Sequence, residues 1–266
     1  MSEDPALPLA FLTAGEAEAY LDGPCVAILH TREEMERWLR APAPGVEWLQ
    51  VEGLIGDPDV WALAAQGAID IPLDVILEDP ASEFSALYRL VDVRLARSVR
   101  VTIPAKPGLM KALRMAASLG LPVRILPGQP DLEVREELAQ AADFYLHDSM
   151  VESPVEPFHS MLASFRGNPS GTLWEMLEQD PATFAHRGPE GQGSQLRGDV
   201  GSHLAALLEA GAECSSCRWQ SLCAGYFKVP DPAYACEGVK PIFASVESAA
   251  DEIGRELAGQ ESAAQP

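Results

Sequence analysis

Four of the five cysteines in this 266-residue chain lie within a stretch of 23 residues. They are Cys214, Cys217, Cys223 and Cys236, with the spacing C-x2-C-x5-C-x12-C. A C-x2-C pair places two thiolates on one tight turn, where both can face the same metal centre. The loop before the last cysteine contains Pro230 and Pro232 and is long enough to return Cys236 to the others. The spacing therefore predicts a four-sulfur metal site.

Three interpretations compete for this site. A zinc site usually contains two C-x2-C pairs, whereas this chain has one pair and two scattered cysteines, so zinc ranks second. Disulfides are disfavoured because nothing in the sequence marks secretion. An iron–sulfur cluster suits irregularly spaced cysteines in a loop-rich segment with small residues such as Ser215 and Ser216. We expect one [4Fe-4S] cluster, with Zn²⁺ and unligated thiols as the alternatives.

The secondary-structure elements that must position this site can be predicted from the first 150 residues, where two kinds of segment alternate regularly. Short apolar runs typical of buried strands are separated by helical stretches. The predicted strands are 25–30, 46–51, 69–77, 97–103 and 122–126, and the predicted helices are 31–40, 59–66, 82–91, 107–119 and 132–142. Such alternation implies right-handed βαβ crossovers and a mostly parallel sheet. The predicted fold class is α/β, with an incomplete parallel (β/α) barrel or open sheet in residues 1–150.

The strand pattern stops at about residue 151. The remaining chain predicts helices over 154–165, 171–185, 200–212 and 246–257, a glycine-rich linker over 187–199 and a disordered tail over 259–266. Residues 151–266 are therefore predicted to form a mainly helical, loop-rich module that carries the four cysteines.

Acidic residues dominate the composition, with 40 Asp and Glu against 19 Lys and Arg and a formal net charge of -21. This charge repels phosphate backbones and anionic headgroups, so we expect neither a nucleic-acid nor a membrane partner. The sequence contains no run of about 18 apolar residues and no cationic signal-peptide start, which indicates a cytoplasmic protein.

Residues 91–130 form a basic island in this acidic chain. We interpret its members as solvated element ends paired with carboxylates, with a docking patch for an acidic partner as the alternative. The members are Arg94, Arg97, Arg100, Lys106, Lys111, Arg114 and Arg124.

The run from Cys214 to Phe227 reads CSSCRWQSLCAGYF and, with Cys236 downstream, resembles the SPASM domain. That domain extends many radical S-adenosylmethionine peptide-modifying enzymes and carries two auxiliary [4Fe-4S] clusters. The segment GTLWEML, from Gly171, is similar to the Gly-Asn-Leu and short helix that precede these cysteines in the family. The resemblance covers residues 171–236, and it implies that the four cysteines correspond to the second auxiliary cluster.

The chain also departs from this family. Phe227 stands where the family has a cysteine of the first auxiliary cluster, and the only other cysteine, Cys25, lies in an apolar run predicted to be core. Radical enzymes hold their reactive cluster with C-x3-C-x2-C after the first barrel strand, whereas residues 31–37 read TREEMER. We therefore expect no cleavage of S-adenosylmethionine and interpret the first 150 residues as a degenerate radical-enzyme scaffold.

Three functions follow from these observations. The first is a non-catalytic [4Fe-4S] protein that transfers electrons or serves a peptide or cofactor maturation system as an accessory subunit. Its protein partner would be a maturation enzyme or a precursor peptide. The second is a peptide or small-molecule binding module with a structural metal site. The third is a non-radical enzyme that uses carboxylates after the strands, although these residues also suit helix capping. They are Asp57, Asp59, Glu78 and Asp79.

Overall fold

The computed structural model describes residues 7–66, 69–186, 196 and 198–263, with side chains up to residue 259. The strands are β1 (Leu9–Thr13), β2 (Cys25–Leu29), β3 (Val46–Glu52), β4 (Leu73–Ile76), β5 (Val99–Pro104), β6 (Val123–Leu126), β7 (Val155–Glu156) and β8 (Phe184–His186). The helices are α1 (Ala14–Ala19), α2 (Arg32–Arg40), α3 (Pro58–Gln66), α4 (Pro80–Glu83), α5 (Leu90–Ala96), α6 (Leu109–Ser118), α7 (Leu132–His147), α8 (Phe158–Phe165), α9 (Leu173–Met176), α10 (Val200–Glu209), α11 (Gln220–Cys223) and α12 (Lys240–Ala263). Most of the predicted linker over 187–199 lies outside the described residues.

The eight strands form one sheet in the order β7-β6-β5-β4-β3-β2-β1-β8, and every neighbouring pair is parallel. Within the described chain no pairing joins β7 to β8, so the sheet is open. It is also curled, because Phe11 of β1 and Arg124 of β6 line the same cavity although four strands separate them in the sheet. The architecture is a half-barrel, as the α/β prediction anticipated.

Side-chain alternation along the strands separates two faces of this sheet. Alternate residues of each strand, such as Leu73 and Val75 on β4, belong to the large core that the helices cover. The residues between them face the concave side, where Phe11, Val26 and Ile28 form a small apolar cluster of their own. Both faces are buried, which explains the nearly continuous apolar runs in the sequence.

All five predicted strands are present, together with three that the sequence analysis missed. The five differ from prediction mainly at their ends; β4, for example, is limited to Leu73–Ile76. The missed strands are β1, β7 and β8, and the last two follow residue 150. The sheet therefore extends across the predicted boundary between the two parts of the chain.

The C-terminal helix α12 joins the cysteine-bearing segment to the half-barrel, because it packs against α7 and α8. It begins at Lys240, earlier than predicted, with Pro241 in its first turn, where proline is well tolerated. It continues to Ala263, although the sequence predicted disorder from Gly259. The Ala, Gln and Glu residues that follow Gly259 are good helix formers, which favours this continuation. None of the described helices is long and apolar enough to cross a membrane.

Candidate metal centre

The four clustered cysteines lie on four short pieces of irregular chain. Cys214 is part of a 3-10 turn over Glu213–Ser216, and Cys217 follows that turn directly. Cys223 ends α11, and Cys236 begins another 3-10 turn, Cys236–Gly238. All four side chains line one cavity. The structure thus brings together every residue that the spacing analysis selected.

Two consecutive left-handed residues reverse the chain after Cys223. Ala224 has φ of 47° and Gly225 has φ of 74°, which turns the backbone amides of Tyr226 and Phe227 toward the Cys223 sulfur. Glycine is required at 225 for space as well as for φ, because a Cβ atom there would lie 2.7 Å from Cδ1 of Leu207. This turn gives Cys223 two backbone hydrogen-bond donors.

Glu213 connects the separate pieces of the site. Its carboxylate accepts hydrogen bonds from Nζ of Lys228 at 2.9 Å, from Nζ of Lys240 at 2.5 Å and from the backbone N–H of Cys236 at 2.9 Å. Partial burial raises the pKa of Glu213, but these hydrogen bonds outweigh burial and lower the pKa to about 2. Glu213 is therefore ionised at neutral pH and holds the first and last cysteine segments together.

Three of the clustered thiols, those of Cys214, Cys223 and Cys236, have pKa values above the ordinary cysteine value. Burial raises the pKa of Cys223 to about 11, although the amides of Phe227 and Tyr226 act in the opposite direction. Burial raises the pKa of Cys236 to about 12, against the charge of Lys228, and it also raises the pKa of Cys214. A metal that binds these sulfurs must displace their protons.

Two lysines supply positive charge beside these sulfurs. Lys228 is 4% exposed, and its ammonium group donates to Glu213 and to the backbone carbonyl of Tyr234. Its charge acts on Cys214 and Cys236, while the charge of Lys240 is coupled to Cys217 and Cys236. The charge of Lys228 favours deprotonated sulfur at Cys214 and Cys236, but burial outweighs it at both.

Aromatic side chains close the cavity on one side. Trp219, Phe227 and Phe243 line it, and the Trp219 indole donates to Glu247 at 3.1 Å. Phe227 is buried and packs edge-on against Tyr226, with ring centroids 5.3 Å apart. Phe227 thus serves as packing at the position where the SPASM family has another cysteine.

A single bound metal ion needs closely grouped ligands, because the ligands of Zn²⁺ lie about 2.0–2.3 Å from the metal. Among the described residues, no group of three or more His, Cys, Asp or Glu side chains is arranged to hold an ion.

The cysteine segment is attached to the end of β6 and to α9. The Gln129 side chain, in the loop after β6, donates to the carbonyl oxygens of Phe227 at 3.0 Å and of Asp231 at 2.7 Å. The Trp174 indole of α9 donates to the carbonyl of Ala224 at 3.0 Å. The site therefore lies at the carboxyl end of a sheet strand, the end where barrel enzymes place their chemistry.

The other residues considered from the sequence lie elsewhere. Cys25 is fully buried on the helix-covered face of β2, which confirms that it is core. Asp79 caps α4 by accepting from the Ala81 N–H, and Asp57 accepts from the Asp59 N–H at the start of α3. The strand-end carboxylates at these two positions thus act as helix caps.

The basic island does not form a continuous surface patch. Arg100 and Arg124 were predicted to be solvated, but 29% and 6% of their side chains are exposed and both point to the concave face. They pair there with Asp74 and Glu178, so the carboxylate pairing was correct and the solvation was wrong. Side chains alternate between the two faces of a strand, and β5 and β6 lie between β4 and β7 in the sheet. Alternate positions on β5 and β6, which include Arg100 and Arg124, must therefore face the concave side.

Glu213, Lys228 and Lys240 were not selected from the sequence. One signal could have found the lysines, because the chain has only four, of which Lys228 lies between the clustered cysteines and Lys240 four residues after the last one. Glu213 has no comparable signal, since its role depends on contacts with residues 15 and 27 positions away.

The chain was also compared with known proteins. No protein-family model, no curated protein and no solved structure matches it.

Proposed function

We propose that the cysteine site holds one [4Fe-4S] cluster and that the chain is a non-catalytic, SPASM-like protein. In this role it passes single electrons or serves as an accessory subunit for a peptide or cofactor maturation enzyme. The observation that carries the proposal is the cavity shared by all four clustered cysteines.

Several features of the chain support this cofactor. A cluster held by four thiolates supplies a one-electron couple and has no open iron position. The amides of Tyr226 and Phe227 aim at the Cys223 sulfur, and hydrogen bonds to sulfur are among the factors that set cluster potentials. Lys228 and Lys240 offset thiolate charge, and the aromatic cover limits access of water.

The two segments that carry the SPASM resemblance are in contact. The GTLWEML segment and the cysteine run are separated by about 40 residues in the sequence, yet Trp174 donates directly to Ala224 beside Cys223. The two parts of the resemblance therefore belong to one structural unit. An intact radical enzyme or a short precursor peptide encoded beside this chain would add support for the accessory role.

Anaerobic purification followed by iron, sulfide and zinc quantification tests the cofactor. We expect about four iron and about four sulfide per chain, and a one-electron paramagnetic signal on reduction. Cys223→Ser should lose most of the iron, whereas the matched control Cys25→Ala should retain it because Cys25 belongs to the core. Colourless protein with one zinc per chain would overturn the proposal.

The same preparation tests the non-catalytic role. Adding S-adenosylmethionine should leave the paramagnetic signal of the reduced cluster unchanged, since all four irons already have a thiolate ligand. A shifted signal, or formation of 5′-deoxyadenosine, would contradict the closed-site argument.

A second candidate is a binding module whose metal is structural. The observation that favours it is Glu213, which accepts hydrogen bonds from Lys228, Cys236 and Lys240 and so holds separate parts of the chain together. Metal bound only by the folded chain contributes to the free energy of folding. Ligand binding that survives Cys223→Ser would favour this second candidate over electron transfer.

A further inference from the structure

The concave face of the sheet carries four charged side chains that the cysteine site does not use. Asp74 on β4 lies 2.7 Å from Nη2 of Arg100 on β5 and 2.7 Å from Nη2 of Arg124 on β6. Thr102 donates to the other oxygen of Asp74 at 2.7 Å. Asp74 is 1% exposed and fully engaged by these partners. Burial raises its pKa, but the charges of Arg124 and Arg100 outweigh burial, so the pKa lies below its ordinary value and Asp74 is an anion.

The fourth charge, Glu178, does not belong to the sheet. It follows α9, and its carboxylate spans both arginines, with Oε1 at 2.6 Å from Nη1 of Arg100 and Oε2 in contact with Nη1 of Arg124. Its φ of 58° is left-handed, a conformation that costs a non-glycine residue about 1 kcal/mol or more. Glu178 thus places its carboxylate, from outside the sheet, against two guanidinium groups. A bound carboxylate ligand would occupy the same position.

A narrow cavity adjoins Arg124 and Glu178 on this face. Its apolar walls include Phe11, Leu126 and Leu177, and its polar groups include the amides of Gln50 and Gln179. His186 also lines it, stacked on Phe11 with ring centroids 4.1 Å apart. Apolar walls with a few convergent polar groups are typical of small-molecule sites.

Charge balance selects the class of ligand. Arg100 and Arg124 carry two positive charges, and Asp74 neutralises one of them from its buried position. The remaining charge is balanced by Glu178, whose side chain is 15% exposed. His186 adds no charge at neutral pH, because burial and the charge of Arg124 lower its pKa and together outweigh its contacts with Glu178. If Glu178 moves away, the site needs one negative charge.

We propose that this concave-face cavity binds a monocarboxylate with a small apolar body, which replaces Glu178 on Arg100 and Arg124. The carboxylate belongs either to a free organic acid or to the C-terminus of a peptide. The site is separate from the cysteine cavity and needs no metal, so its test does not depend on the identity of the cofactor.

Calorimetric titration of the full chain tests the proposal. The probes are 3-phenylpropanoate, its amide, and a tripeptide ending in phenylalanine with a free or an amidated C-terminus. We expect a free-acid probe to bind and the matching amide not to bind. Preference for the organic acid or for the tripeptide identifies the source of the carboxylate. Binding of the amides as well as the acids would overturn the proposal.

Removing the internal carboxylate should strengthen binding. Glu178→Gln keeps the size of the side chain but frees the second positive charge, and we expect about tenfold tighter binding of the acid. The matched control is Glu152→Gln, which removes the same charge from an exposed loop and should change nothing. If no acid probe binds to Glu178→Gln at millimolar concentration, the site does not exist.

Removing an arginine should abolish binding. Arg100→Gln takes away one half of the guanidinium pair, and we expect at least about tenfold weaker binding in the Glu178→Gln background. If that variant does not fold, Arg100→Lys keeps the charge and loses the planar fork, and it should also weaken binding. Unchanged affinity in the folded arginine variant would contradict the assignment.

Discussion

The concave-face network and the cysteine site both bury ionisable groups, but they do so by opposite means. The network is built on regular strands, where register places Asp74 beside Arg100 and Thr102 beside Arg124. Its two arginines and two carboxylates balance each other. The cysteine site is built on 3-10 turns and left-handed residues, and burial raises the thiol pKa values of Cys214, Cys223 and Cys236 beside two lysines and one glutamate. A rigid sheet thus holds permanent charge pairs, whereas irregular chain holds groups that ionise when a metal binds.

The two sites are also neighbours. The hydroxyl of Tyr226 donates to Oε1 of Gln179 at 2.9 Å, and Gln179 lines the concave-face cavity. Burial raises the pKa of Tyr226, and the charges of both Cys223 and Arg124 act on it. One buried side chain therefore separates the sulfurs from the proposed carboxylate site.

The comparison between the two sites is tested most sharply by removing one permanent charge from the concave-face network. Asp74→Asn leaves two buried guanidinium groups with one carboxylate, and removing one partner of a buried ion pair costs about 3–5 kcal/mol. We expect a decrease of this size in the free energy of unfolding, measured by denaturant titration. The control Asp22→Asn changes an exposed loop residue and should shift stability by less than about 0.5 kcal/mol. A small effect at Asp74 would mean that the network is not a permanent charge pair.

The equivalent substitution in the cysteine site should lower the free energy of unfolding by a smaller amount. Lys228→Met removes a buried ammonium group but leaves Glu213 hydrogen-bonded to Lys240 and to the Cys236 amide. We expect a loss of about 1–3 kcal/mol in the metal-free chain, together with lower iron content after reconstitution. The control Lys111→Met replaces an exposed lysine and should alter neither quantity. Equal costs for Lys228→Met and Asp74→Asn would remove the distinction between the two sites.

The hydrogen bond from Tyr226 to Gln179, which links the two sites, should contribute still less to the free energy of unfolding. Tyr226→Phe keeps the ring and deletes one hydrogen bond to Gln179, with an expected cost of about 0.5–1.5 kcal/mol by denaturant titration. Tyr88→Phe, at an exposed tyrosine, serves as the control. If the hydroxyl couples the two sites, the metal should change the affinity for the acid probe in the wild type and should change it by a different amount in Tyr226→Phe. An equal effect of the metal in both proteins would exclude coupling through this hydroxyl.

Acid should weaken the cysteine segment through Glu213. Its folded pKa of about 2 lies below the ordinary value of 4.5, so its contribution to stability is complete above about pH 4.5 and is lost as the pH falls toward 2. Thermal unfolding of metal-free wild type and Glu213→Gln should therefore differ by a constant amount above pH 5. The difference should shrink between pH 4.5 and 2, and a difference that is independent of pH would contradict the role of Glu213.

Short elements explain what the sequence analysis missed in the fold. The longer strands β2 and β3 were correctly predicted, because apolar residues recur over five or more positions and leave a clear pattern. β7 has two residues and β8 has three, too few for any alternation to be recognised. They become strands only because β6 and β1 offer them unpaired edges.

The sequence by itself determined the four-cysteine grouping, the principal strands and the helices that alternate with them. These features depend on residue types a few positions apart, and neighbouring residues are the first to interact. Only the tertiary structure decided that Arg100 and Arg124 face inward against Glu178, and that Lys228 and Lys240 meet at Glu213. Those contacts join residues far apart in the chain, so they depend on how the sheet curls and where α9 and α12 pack, which no local pattern encodes.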